Sequence, residues 1–143
     1  MKLGRYFSLE EMTKTSTGLK NKPNRQEVVN LTRLVALVLD PLRADCGPLR
    51  VTSGYRSTEV NKAVGGVATS YHRRGLGADI QSDAITPYEL AERMEFLGLP
   101  VDKVIVEFHK WVHVQIKEAG GTNRTEYMVA ESVGGEVHYR EMT

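Results

Sequence analysis

A chain of 143 residues with 41% apolar and 26% charged side chains has the make-up of a soluble globular protein, long enough to bury one real core. Its 19 basic and 18 acidic residues leave a formal net charge of +1 with no block of like charge, which argues against nucleic acid or an anionic membrane as the main partner. A single cysteine, Cys46, rules out an internal disulfide framework, so the fold must stand on core packing and perhaps a metal. The opening Met-Lys-Leu-Gly-Arg-Tyr-Phe-Ser has no apolar core of a signal peptide, and no stretch is long enough to span a bilayer. The expectation is synthesis in the cytoplasm without a signal peptide, with release by something else if the substrate lies outside.

Ser8 followed by Glu11 is a capping-box pattern and predicts a short helix from Leu9 to about Lys14. Gly18 to Pro23 reads as a polar loop. Asn24 and Glu27 repeat the capping pattern and open a longer helix, with Val28, Leu31, Leu34, Val35, Val38 and Leu42 at helical spacing. Pro41 is expected to kink or tighten its last turn, and Gly47-Pro48 to stop it. Leu49 to Ser53 reads as a strand, and Ser57 caps a short helix over Thr58 to Val64. A loop from Val67 to Gly77 leads into a strand at Ala78 to Gln81. Thr86-Pro87-Tyr88-Glu89 starts a helix that runs to about Phe96 and ends at Gly98. Lys103 to Phe108 and Trp111 to Lys117 read as strands joined tightly at His109-Lys110. Glu126 to Ala130 and Glu136 to Tyr139 form a closing hairpin around Gly134-Gly135. With no repeat or linker, residues 1–143 read as a single α+β domain, helices mostly first and an antiparallel sheet after.

The chemistry concentrates between Ser53 and Asp79. His72 and Asp79 lie seven residues apart on a glycine-containing loop entering a strand, and His113 sits on a different predicted strand. Two imidazoles and one carboxylate can fill three positions of a tetrahedral zinc, leaving the fourth for a water that ionises near neutral pH. That makes a zinc hydrolase the working reading. Taken singly, His72 reads rather as a solvated loop residue and His113 as a histidine satisfied inside the sheet. Glu107, among apolar strand residues, suits a general base, or else a strand-end carboxylate paired with Lys110 or Lys103. Arg56, at the end of a strand, can hold a carboxylate or an oxyanion in two bonds. Ser53 and Ser70 either orient ligands or cap turns, and Trp111 either lines the cleft or packs in the core. His109 has no assigned role, His138 is structural or exposed, and Cys46 reads as a small buried apolar residue.

Ser53-Gly-Tyr-Arg-Ser57, Asn61, Val64-Gly-Gly66, Ser70-x-His72-x-x-Gly75, Asp79 and Trp111-Val-His113 resemble the zinc D-Ala-D-Ala carboxypeptidase and endopeptidase family of peptidoglycan hydrolases, within the M15 peptidase group. Short phage and prophage-type members look most similar, and the likeness runs from about Tyr6 to Lys117. The resemblance implies a compact Hedgehog/DD-peptidase-like fold in which an antiparallel sheet carries Zn2+ and helices pack on it. It matches His72, Asp79 and His113 to the metal ligands, Arg56 to the substrate-positioning arginine and Glu107 to the catalytic acid/base. Many relatives place that acid three residues before the second histidine, where this chain has Lys110. Relatives with Glu-Phe-x-x-Trp-Val-His offer the glutamate six residues upstream instead, as Glu107 does. Gly77 stands where alanine is usual. The implied reaction is hydrolysis of an amide bond in the peptidoglycan stem peptide, by a D-Ala-D-Ala carboxypeptidase or an L-Ala-D-Glu or DD-endopeptidase of endolysin type. It would act on the cell wall after release or as a virion component, or on wall precursors inside the cell. The rival is a non-catalytic wall-binding or virion structural module that keeps the zinc fold. Oligomeric state is not legible.

Overall fold

Side chains that cap helices fix where the local structure begins. In the computed structural model, which describes residues 1–143, Ser8 with Glu11, Asn24 with Glu27 and Thr86 with Glu89 each close a full capping box. Each such cap contributes about 1 kcal/mol by satisfying backbone N–H groups that a helix start leaves open. They open α1 (Leu9–Met12), α2 (Arg25–Leu34) and α5 (Pro87–Leu97). Ser57 caps the shorter α4 (Thr58–Ala63) through the Val60 N–H.

The long helix is continuous but not uniform. Between α2 and α3 (Asp40–Cys46) runs one π-helical turn, Val35–Leu39, in which the Asp40 N–H reaches back to the Val35 carbonyl. Pro41 therefore does not tighten the turn as its missing N–H suggested. Its ring would press on the carbonyl four residues back, and a widened turn relieves that contact. Asp40, freed at this point, accepts from the backbone N–H groups of Arg5 and Tyr6 and ties down the N-terminal arm.

Six strands form one sheet in the order β1-β2-β4-β3-β5-β6: β1 Leu49–Ser53, β2 Gly77–Ser82, β3 Lys103–Glu107, β4 Trp111–Gln115, β5 Glu126–Val133 and β6 Glu136–Glu141. The architecture is α+β with a mostly antiparallel sheet; the exception is β3 with β5, which pair in parallel. The chain returns from β4 along the far edge of β3, and the closing hairpin joins the main sheet there rather than standing apart. Alternation assigns the two faces. Val51, Ala78, Ile80, Val104, Val106, Val112 and Val114 are buried, and with Leu31, Leu34, Leu42, Leu90 and Met94 of the helices they form the core. The opposite face carries the polar residues of the site. The turn between β3 and β4 is Phe108-His109, one residue earlier than its sequence suggested, closed by Lys110 N–H donating to the Glu107 carbonyl. Both turn residues have positive φ (56° and 58°), the type I′ geometry that suits the twist of a tight hairpin.

Candidate metal centre

Sheet register brings the site together. Asp79 on β2 is partnered by Ser53 on β1 and by His113 on β4, and His113 in turn by Ile105 on β3. Cross-strand partners share a face, and so do residues two apart on a strand. Glu107 and Trp111, themselves partners, therefore face the same side as His113 and Asp79. Ser53 reaches that side only because Thr52 is an extra residue in β1: the register slips between Val51 and Ser53. Without this bulge Ser53 would point into the core.

His72 comes from outside the sheet, on a single 3-10 turn, Tyr71–Arg74, within the stretch that reads as loop. Ser70 Oγ accepts from the His72 backbone N–H, and Gly75 closes the turn in the left-handed region at φ 73°. A Cβ there would lie 2.7 Å from the Glu27 carbonyl oxygen, so only glycine fits. The turn is pinned to the helices by Arg73, which pairs with the buried Glu27 at 2.8 Å, and by Asn30 Nδ2 donating to the Arg74 carbonyl.

The three expected ligands converge, their ligating atoms all lying within 4.8 Å of one another. His72 Nε2 is 3.2 Å and His113 Nδ1 is 3.0 Å from the same oxygen, Asp79 Oδ1. The other nitrogen of each ring is spoken for. His72 Nδ1 lies 2.8 Å from the Gly54 carbonyl, which can only accept, so Nδ1 carries the proton. His113 Nε2 lies 2.8 Å from Gln115 Oε1 and donates to it. With neutral rings, two imidazole lone pairs and a carboxylate oxygen thus face one another with no hydrogen between them. Such a cluster of acceptors calls for a cation, and two imidazole nitrogens with one carboxylate oxygen fit zinc.

Without the ion, a proton can take that place. Burial alone would pull the His113 pKa down, but the hydrogen bond and charge of Asp79 outweigh it and hold it above the ordinary imidazole value. Burial likewise opposes ionisation of Asp79, yet hydrogen bonds from His113 and His72 keep its carboxyl well below the usual range.

Arg56 lies beside the cluster with its side chain 17% exposed. Its Nε donates to Ser53 Oγ at 3.0 Å, Nη1 to Asn61 Oδ1 at 3.4 Å, and Nη2 sits 3.6 Å from Asp79 Oδ2. Ser53 thus orients the arginine, while Ser70 holds the backbone of His72. A recess of about 170 Å3 lined by Lys14, Ser53 and Arg56 among others opens here. A larger one of about 410 Å3, between Glu95, Lys103 and Tyr127, lies away from these residues. Glu107 is half-buried and has no cation within 4.0 Å; Lys103 pairs with Glu126 instead. Burial, then the nearby charge of Asp79, raise the Glu107 pKa against the pull of His113 and Arg56. Trp111 packs edge-on against Phe108 at 5.9 Å on this face, and its Nε1 is buried without a partner.

Other residues fall outside the cluster. His109 is an exposed turn residue, and His138 is exposed on β6. Cys46 is half-buried rather than buried, because it ends α3 at the surface; burial and then Asp45 push its thiol up to about 11. Sequence reasoning gave no role to Gln115, Asp102 or Arg124, which continue the hydrogen bonding outward from His113. The only signal for Gln115 was a polar residue two positions after His113 on a strand whose alternate residues are valine.

Comparison with curated proteins gives no match. The family model described as Peptidase M15 matches residues 5–115, which contain all five of the residues singled out above, Arg56, His72, Asp79, Glu107 and His113. With its His-Asp-His cluster inside the matched region, the chain belongs to the peptidase M15 family.

Proposed function

We propose that the protein is a zinc-dependent peptidase that hydrolyses an amide bond in the stem peptide of bacterial peptidoglycan. The observation that carries this reading is the meeting of His72 Nε2, Asp79 Oδ1 and His113 Nδ1 beside an unpaired carboxylate, Glu107, and a fixed guanidinium, Arg56. When bound, zinc supplies a Lewis acid for the scissile carbonyl and makes water acidic enough to react near neutral pH. His72, Asp79 and His113 hold it. Glu107 takes the proton of the attacking water as the C–O bond forms, then returns it to the leaving amine as the C–N bond breaks. Its raised pKa suits both halves of that transfer. Arg56 has donors to spare beyond Ser53 and Asn61, and binds a carboxylate or carbonyl oxygen of the substrate. Carboxypeptidase and endopeptidase action both fit this arrangement. No helix is long and apolar enough to cross a membrane; action on the cell wall after release, or as part of a virion, is the proposed setting.

The deciding experiment is mass spectrometry of purified peptidoglycan fragments after incubation with the zinc-loaded protein, beside a chelator-treated control. Chelator-sensitive loss of one terminal alanine identifies a carboxypeptidase, and a cut within the stem or cross-link identifies an endopeptidase. Zinc binding with no cleavage of any wall chemotype would overturn the enzymatic reading in favour of a wall-binding module.

A further inference from the structure

His113 is the only proposed ligand whose free ring nitrogen is met by a side chain rather than by backbone. That side chain, Gln115, is buried and has its own orientation fixed. Its Nε2 donates to Asp102 Oδ2 at 2.8 Å, and Asp102 is wholly buried at the entry to β3. Asp102 Oδ1 accepts from the Arg124 backbone N–H at 2.9 Å and from Arg124 Nε at 3.1 Å, while Oδ2 also accepts from Arg124 Nη2 at 2.8 Å. Four donors surround one carboxylate, so it has no proton to give. An inverted Gln115 amide would set its oxygen against Asp102 and is excluded. Oε1 must therefore face His113, and because an amide oxygen only accepts, His113 must carry its proton on Nε2. Nδ1, the atom beside Asp79, is left as a lone pair.

We propose that Gln115 is a positioning residue that holds His113 in the Nε2–H tautomer, with Asp102 and Arg124 as its anchor, so that Nδ1 is ready for the metal. This rests on the reading of His113 as a metal ligand. Arg124 lies beyond the residues matched to the family, so the anchor is supplied by this chain's own C-terminal segment. A neutral imidazole in water prefers neither nitrogen strongly enough to specify a site, and partners of this kind typically change metal affinity about 10–100-fold.

The test is nitrogen-15 NMR of the histidine rings in the metal-free protein, at a pH where the imidazole is neutral, with zinc affinity measured by competition against a chromophoric chelator. Wild type should show His113 in the Nε2–H form alone. Gln115→Met keeps the side-chain volume but removes the acceptor; it should show mixed tautomers and bind zinc about 10–100-fold more weakly. A wild-type His113 protonated on Nδ1 overturns the proposal whether or not the variant folds. So does a folded Gln115→Met that keeps the Nε2–H form and the wild-type affinity. A wild type that takes up no zinc sinks the metal-site reading itself and this inference with it, whereas absence of peptidase activity leaves both readouts standing.

Discussion

Gly54 shows how little room the site leaves at single residues. Its carbonyl sets the His72 tautomer, and a Cβ on it would lie 2.3 Å from the Met12 carbonyl oxygen, which also accepts the Tyr55 N–H. Gly54→Ala must push α1 away or pull the carbonyl off His72. It should cost about 1–3 kcal/mol of stability by overpacking and weaken zinc binding, read by thermal melts and chelator competition. His72→Ala and His113→Ala should lose zinc and activity together. Glu107→Gln should keep zinc and lose activity by about 10²–10⁴-fold; an active Glu107→Gln enzyme would remove Glu107 as the base. The Asp79–His113 pair gives a pH signature. Below the raised His113 pKa, a proton occupies the nitrogen the metal needs, so zinc affinity should fall about tenfold per pH unit, with proton release visible by calorimetry in two buffers. In the metal-free protein, the lowered Asp79 pKa contributes stability above the unfolded carboxylate value, and the raised His113 pKa contributes stability that is lost as pH rises through it. Melting temperature should therefore be highest between about pH 4 and pH 6.5. The cluster of His72, Asp79 and His113 was legible in the sequence because histidine and aspartate in a small-residue setting are chemically conspicuous. Gln115 was not, since an amide on a strand says nothing until its two neighbours in space are known.

Elements were readable where their signals are local. The capping boxes at Ser8, Asn24 and Thr86 and the left-handed Gly98 concern residues three or four apart, and those helices begin and end close to where the pattern puts them. What depends on distant partners was not readable: the 3-10 turn that presents His72, the bulge at Thr52, and the parallel pairing of β5 with β3. The Phe108-His109 turn is a case of tertiary structure overriding propensity. Neither residue favours positive φ, but the Phe108 N–H donates to the Ala130 carbonyl and its ring packs on Trp111. His109 makes no such contact and is exposed, so His109→Gly should relieve strain and stabilise by about 0.5–1 kcal/mol. A melting temperature unchanged or lowered would mean that the turn is not strained at that position.

At the scale of the whole molecule, one sheet has two uses: a valine-rich face for the helices and a polar face that carries Asp79 and His113 of the candidate metal cluster. The hairpin β5–β6 covers the outer edge of β3, and Arg124 before it neutralises the buried Asp102. A chain ended at Lys117 would keep every proposed ligand, yet it would strip Asp102 of three of its four donors and leave β3 as an open edge. Against a total stability of about 5–15 kcal/mol, such a truncation should be largely unfolded or aggregated by circular dichroism and size-exclusion chromatography. The parallel pairing also places the anchor of the proposed site late in the chain. Arg124 follows His113 in the chain and reaches Asp102 from the segment that leads into β5, which pairs with β3. A loosely docked hairpin would thus leave the His72-Asp79-His113 cluster in place without the means of aligning it. A metal at such a cluster would meet a mobile imidazole, so the precision of the proposed centre depends on how firmly the last hairpin is docked.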